Sequence, residues 1–114
     1  MQSSKHFVAV LQSNLLVEGQ TKGLKVKDVN LFLVRHHGLA LAYYNNCPHR
    51  KVPLEWLPDQ FLSDDQQFIQ CSEHGALFTI DQGLCISGPC MHQSLASIET
   101  KEADNQIWVQ LGGL

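Results

Sequence analysis

The sequence predicts a small all-β domain, a sandwich or barrel. Short apolar or alternating runs recur along the chain, turn-forming residues separate them at regular spacing, and no sustained 3.6-residue periodicity appears. The 114 residues amount to one domain. At that size folding removes roughly 60–70% of the unfolded chain's surface from water, so one core is enough without staples.

Phe7-Val8-Ala9-Val10-Leu11 is an apolar, β-branched run ending near the turn-prone pair Ser13-Asn14. The stretch after it reads as looser, with Gly19 and Gly23 as breakers and Lys22, Lys25 and Lys27 as a solvated basic run. Leu31 to Val34 and Leu39 to Tyr44 flank Arg35-His36-His37-Gly38, a hairpin whose loop has a glycine suited to positive φ. Residues 45–66 carry three prolines and two turn pairs and read as mostly irregular. So long an irregular stretch in a compact domain points to function. Gln67 to Gln70 is a short alternating strand; Leu77 to Ile80 and Leu84 to Ile86 form a second hairpin through Asp81-Gln82-Gly83. Gly88-Pro89 marks a turn, Ala96 to Thr100 alternates, and Ile107 to Leu111 closes the chain after the turn at 103–106. No repeat, low-complexity tract or linker interrupts what reads as a single domain over 1–114.

Eight basic against eleven acidic residues give a formal charge of −3, which disfavours nucleic acid as a partner. No apolar run approaches the roughly 18 residues of a membrane span, and Phe7 to Leu11 is too short for a signal-peptide core. A cytoplasmic setting is expected. There Cys47, Cys71, Cys85 and Cys90 are better suited to metal or redox use than to disulfides.

Two segments carry chemistry. Cys47-Pro48-His49-Arg50 is followed, after an interval of 21 residues from His49, by Cys71-Ser72-Glu73-His74-Gly75. Each half offers one thiolate and one imidazole near a predicted strand end, where a sheet can present ligands rigidly. Two Cys and two His suit either a tetrahedral zinc or a mixed-ligand binuclear iron–sulfur centre. A zinc module usually separates C-x-x-C from H-x-x-x-H, and C-x-H is short for two ligands of one ion. The objection disappears if the ligands of each loop go to different irons.

C-P-H-R followed by C-x-E-H-G-A-x-F resembles the Rieske-type ferredoxin family. The likeness extends from about residue 6 to 111 through the hairpin before Cys47, Pro53-Leu54, Asp81-Gln82-Gly83 and Gly88-Pro89. It implies a set of small antiparallel sheets with cluster-binding loops at about 45–54 and 70–78. It also implies one [2Fe-2S] cluster held by Cys47 and Cys71 on one iron and His49 and His74 on the other. One departure is that Arg50 to Gln70 looks a few residues longer than usual, with Trp56 to Phe61 as the extra piece.

The implied ligand set has a redox consequence. Two ferric ions, two sulfides and two thiolates sum to zero charge, so an electron enters more easily than it would with four thiolates. Rieske centres span about −150 to +300 mV, against about −400 mV for plant-type ferredoxins. High-potential members add a loop disulfide and two hydroxyl donors; the matching positions here are Val52, Glu73, Ala76 and Phe78, which supply none of these. A low potential is expected. Cys85 and Cys90 read as small apolar fillers, His36, His37, His6 and His92 as solvated or structural, and Trp56, Phe61 and Trp108 as packing residues.

By resemblance the chain is a one-electron carrier between a reductase and a terminal oxygenase or similar oxidoreductase, without substrate chemistry of its own. Only forty residues follow the second motif and they read as strands, so no mononuclear iron domain of an oxygenase subunit is expected. The alternatives are a small Rieske subunit of a larger enzyme, as in assimilatory nitrite reductase, a cluster-based redox sensor, or, most remotely, a structural zinc site.

Overall fold

In the computed structural model, residues 7–46, 59–71, 75–88 and 91–111 are described. Leu31-Phe32-Leu33-Val34 explains the architecture best. All four are fully buried, yet Phe32 and Val34 belong to one hydrophobic core while Leu31 and Leu33 belong to another. A strand apolar at every position is a strand covered on both faces, and this one lies in the middle layer of three.

The middle layer is a four-stranded antiparallel sheet, β2 (Thr21–Val26), β3 (Val29–His36), β4 (Leu39–Tyr44) and β8 (Ser97–Ile98), in that spatial order. Against one face stands the sheet of β1 (Phe7–Gln12), β10 (Gln106–Gln110) and β9 (Thr100–Ala103), ordered β1-β10-β9. Ile107 and Val109 from β10 fill the core between them. Against the other face stands the small sheet β5 (Phe68–Gln70), β6 (Leu77–Thr79), β7 (Cys85–Ser87), contributing Ile69, Phe78 and Cys85. The all-β class is borne out, in three small sheets; the only helical turn among the described residues is a 3₁₀ turn at Ser13–Leu15.

The first hairpin turns tightly on His37 and Gly38, both at positive φ (53° and 80°), so strand structure runs through Arg35 and His36. His36 is therefore half-buried at a strand end and meets the His37 ring in a tilted contact, with centroids 4.0 Å apart and planes at 52°. The expectation of a loose stretch around Gly23 is corrected: Thr21–Val26 is an edge strand paired along its length with β3. Its outer edge is closed by Asp59, whose carboxylate accepts the Gly23 N–H (2.7 Å) and pairs with the Lys22 ammonium (3.3 Å). Lys22 is thus a partner of Asp59 and not part of a free solvated run.

Two smaller corrections concern the C-terminal half. The segment read as one strand at 96–100 breaks at Glu99, and its halves join different sheets: β8 pairs with β4 and β9 with β10. Trp108 is only half-buried, lies opposite Lys101 on the outer face, and donates its indole N–H to the Ala103 carbonyl (3.2 Å). The packing role expected of Phe61 is met in full: it is buried and stacks on Phe32 at 4.3 Å and 7°.

Candidate metal centre

β5 and β6 form a hairpin whose last pair is Gln70↔Leu77. Beyond that pair Cys71 donates its N–H to the Ala76 carbonyl (2.9 Å), which closes the loop carrying the second motif. The sequence dictates this locally: Phe68-Ile69-Gln70 and Leu77-Phe78-Thr79 alternate, so Ile69 and Phe78 pair inward and Cys71 follows on the same inward face. Cys71 is 1% exposed and packs in the core that contains Phe32, Phe61, Ile69 and Phe78.

That setting suits a thiolate held by metal. Burial among apolar side chains opposes the charge of a free thiolate, whereas coordination to a cation deprotonates the thiol outright. Ala76 and Phe78, both buried within this loop and strand, present no hydroxyl to it. Ser72, Glu73 and His74 lie outside the described residues, as do Cys47, His49 and Val52. Of the four expected ligands the structure therefore places Cys71 alone, and no group of three or more His, Cys, Asp or Glu assembles among the described residues.

The two ends of the first loop are nevertheless fixed. At its start Tyr44 donates to Ala96 (2.9 Å) and Asn45 to Asn30 (2.9 Å), which hold the end of β4 on the middle sheet. At its return Asp59 clips the β2 edge and Phe61 stacks on Phe32. The segment that seemed extra in the sequence thus ends in core and edge contacts of the middle sheet. Trp56, Arg50 and Lys51 lie outside the described residues, and so does Cys90.

A third segment borders the second loop. Gly88 stands directly over Ala76: a β-carbon built on it would lie 2.9 Å from the Ala76 Cα. Of the Gly88-Pro89 pair singled out in the sequence only Gly88 lies among the described residues, and its approach to Ala76 was not foreseen, because sequence separation hides a contact between residues 76 and 88. Cys85 is buried as expected of a filler, 2% exposed, and donates its thiol toward the Ser87 carbonyl (3.4 Å).

Charges near the far end of β3 serve structure. Arg35 grips Glu102 with both nitrogens (2.7 and 2.8 Å) and also binds the carbonyls of Leu16 and Ser13. The guanidinium holds the Glu102 carboxyl below its usual range. Glu18 is lowered likewise by the backbone N–H groups of Gly38 and His37. Burial pushes the Tyr43 hydroxyl up to about 12, and it donates to the Ile80 carbonyl (2.6 Å), tying the middle sheet to the small one.

Comparison with known proteins agrees with the architecture. The profile of the Rieske [2Fe-2S] domain matches residues 6–103. No curated protein sequence registers as a match. Among solved structures, a chain of the fluorene-bound oxygenase and ferredoxin complex of carbazole 1,9a-dioxygenase superposes with a TM-score of 0.81 at 23% identity, covering 94% of this chain and 29% of that one. A quaternary ammonium Rieske monooxygenase gives 0.77 at 21% identity, with 94% and 32% covered. The ferredoxin of carbazole 1,9a-dioxygenase from Nocardioides aromaticivorans IC177 gives 0.75 at 21% identity, with 91% and 96% covered. The chain thus spans about a third or less of the two oxygenase-system chains, but nearly all of the ferredoxin. No helix among the described residues is long and apolar enough to cross a membrane.

Proposed function

The chain belongs to the Rieske [2Fe-2S] domain family, and on that premise we propose that it is a one-electron carrier serving a reductase and a terminal oxygenase or similar oxidoreductase. The cluster of this family, when bound, takes up and releases one electron without making or breaking a bond of a substrate. Cys47 and Cys71 hold one iron as thiolates in this reading, and His49 and His74 hold the other as neutral imidazoles. The work of the chain's own residues is to exclude water from the sulfur side, fix the loop ends and keep the imidazole side accessible to a partner.

The observation that carries the reading is the position of Cys71. It sits at the closed end of the β5–β6 hairpin, buried against an apolar core, where the second motif requires a metal-bound thiolate. The carrier role is favoured over a subunit of a larger enzyme by the likeness to almost the whole length of a ferredoxin. Its compartment in this reading is the cytoplasm, where thiols remain available as ligands.

Iron and acid-labile sulfide analysis of the purified protein tests the centre: equal amounts of both, with uptake of one electron per chain, support it, and colourless protein containing zinc refutes it. Affinity co-purification tests the role. A reductase and an oxygenase support the carrier, whereas a stable complex with one larger oxidoreductase refutes it in favour of the subunit.

A further inference from the structure

His36 and His37 meet where β3 ends, with ring centroids 4.0 Å apart and planes at 52°. In a straight strand two consecutive side chains would leave opposite faces. Here His36 closes the strand, and His37 at φ 53° and Gly38 at φ 80° turn the chain, which brings both imidazoles to one side. Glu18 fixes the turn by accepting the N–H groups of His37 (2.8 Å) and Gly38 (2.9 Å). Among the described residues no group hydrogen-bonds either imidazole ring, and their nitrogens are open to water.

The two rings line a cleft of about 380 Å³ together with Glu18, Arg35 and Asp65. Arg35 brings no free positive charge to it, because both terminal nitrogens grip Glu102 (2.7 and 2.8 Å). Asp65 accepts the Ser63 hydroxyl (2.6 Å) and the Gln67 N–H (3.0 Å) on Oδ1, which leaves Oδ2 facing outward from those bonds. The Gly38 and His37 N–H groups hold the Glu18 carboxyl below its usual range, and the Ser63 hydroxyl and Gln67 N–H do the same for Asp65. Two ionised carboxylates beside two neutral imidazoles make the cleft attractive to a divalent cation and repellent to an anion.

We propose that His36 and His37 form a metal site separate from the iron–sulfur centre, a site for Zn²⁺ bound directly by both imidazoles, with Glu18 and Asp65 acting through water. Imidazole nitrogens bind zinc at about 2.0–2.1 Å, so two of them at neighbouring tetrahedral corners stand about 3.3 Å apart. Rings with centroids 4.0 Å apart can present nitrogens at that separation. No group of three or more His, Cys, Asp or Glu assembles among the described residues, so water completes the coordination sphere. Imidazole ligands select zinc over magnesium, which prefers oxygen donors. The site lies at the opposite end of the β3–β4 hairpin from Tyr44, which leads to the first motif. About 17 Å of strand separate the two ends. The proposal stands independently of the electron-carrier reading.

The test titrates Zn²⁺ into the oxidised holoprotein, with calorimetry counting the ions and NMR following the imidazole C–H signals. One ion per chain should bind and shift the His36 and His37 signals together, with the visible spectrum of the cluster unchanged. His36→Gln and His37→Asn should each weaken binding about tenfold or more; asparagine tolerates the positive φ at position 37, so the turn is kept. His92→Gln, at an exposed position outside the cleft, should leave binding as it was. Mg²⁺ should shift neither signal. Equal zinc affinity in either cleft variant overturns the proposal, as does a matching response to Mg²⁺, which would assign the ion to the carboxylates. Absence of any shift at millimolar Zn²⁺ overturns it too, and so does loss of cluster absorbance in step with zinc uptake, because the ion then replaces iron.

Discussion

Gly88 and Ala76 approach so closely that the space for a side chain at position 88 is already taken: a β-carbon there would stand 2.9 Å from the Ala76 Cα and 3.0 Å from its Cβ. The neighbour is backbone at the root of the loop that carries the second motif and cannot swing aside. Gly88 also has φ at +110°, a conformation that residues with side chains rarely adopt. Gly88→Ala should therefore cost about 2 kcal/mol and speed loss of iron from the protein. Thermal unfolding and the decay of visible absorbance in the presence of a chelator measure the two effects.

Phe61→Ala removes the ring stacked on Phe32 at 4.3 Å. The site is fully buried, so the cavity and the lost transfer energy together should cost about 3–5 kcal/mol in denaturant unfolding. On the proposed ligand assignment Phe61 anchors the chain after the first motif, so iron retention should fall in parallel.

Arg35 and Glu102 predict an acid limb in the stability curve. Glu102 has its folded-state pKa lowered, first by the Arg35 hydrogen bond. It contributes stability above the ordinary carboxylate range and loses that contribution as pH falls through the depressed value. The pair is partly exposed, at 11% and 31% for the two side chains, so its contribution is about 1 kcal/mol. Glu102→Gln should be less stable than wild type near neutrality and converge with it in acid, as read from denaturant midpoints across pH.

Phe78→Tyr tests the source of a low potential. Phe78 is buried one residue beyond Leu77, in the strand that leaves the ligand loop, and brings no hydroxyl. A new hydrogen bond favouring the reduced centre by about 1 kcal/mol would raise the potential by about 40 mV. Redox titration of wild type should give a value below zero, and of the variant a higher one.

Much of this was legible in the sequence because it is local. The hairpin around Gly38, the inward pair Ile69 and Phe78 and the burial of Phe61 follow from alternation and turn chemistry over a few residues. The second motif, together with the family resemblance it carries, marked Cys71 as a candidate ligand, and the structure buries Cys71 at the closed end of the β5–β6 hairpin. What escaped was set by distant partners. Gly23 looked like a breaker, but β2 is held by β3 on one side and Asp59 on the other. Glu99 looked like the interior of a strand, yet there the chain passes from one sheet to another. The seat of Gly88 on Ala76 also depends on residues well separated in sequence, and no period of two or 3.6 records it.

The central claim, that two imidazoles share the centre with two thiolates, is tested most directly by nitrogen hyperfine spectroscopy of the one-electron-reduced protein. Two inequivalent imidazole nitrogens should couple to the unpaired electron, and His49→Ser or His74→Ser should each remove one coupling or abolish the centre. A reduced protein without nitrogen coupling, or one whose spectrum survives both substitutions unchanged, would contradict the account.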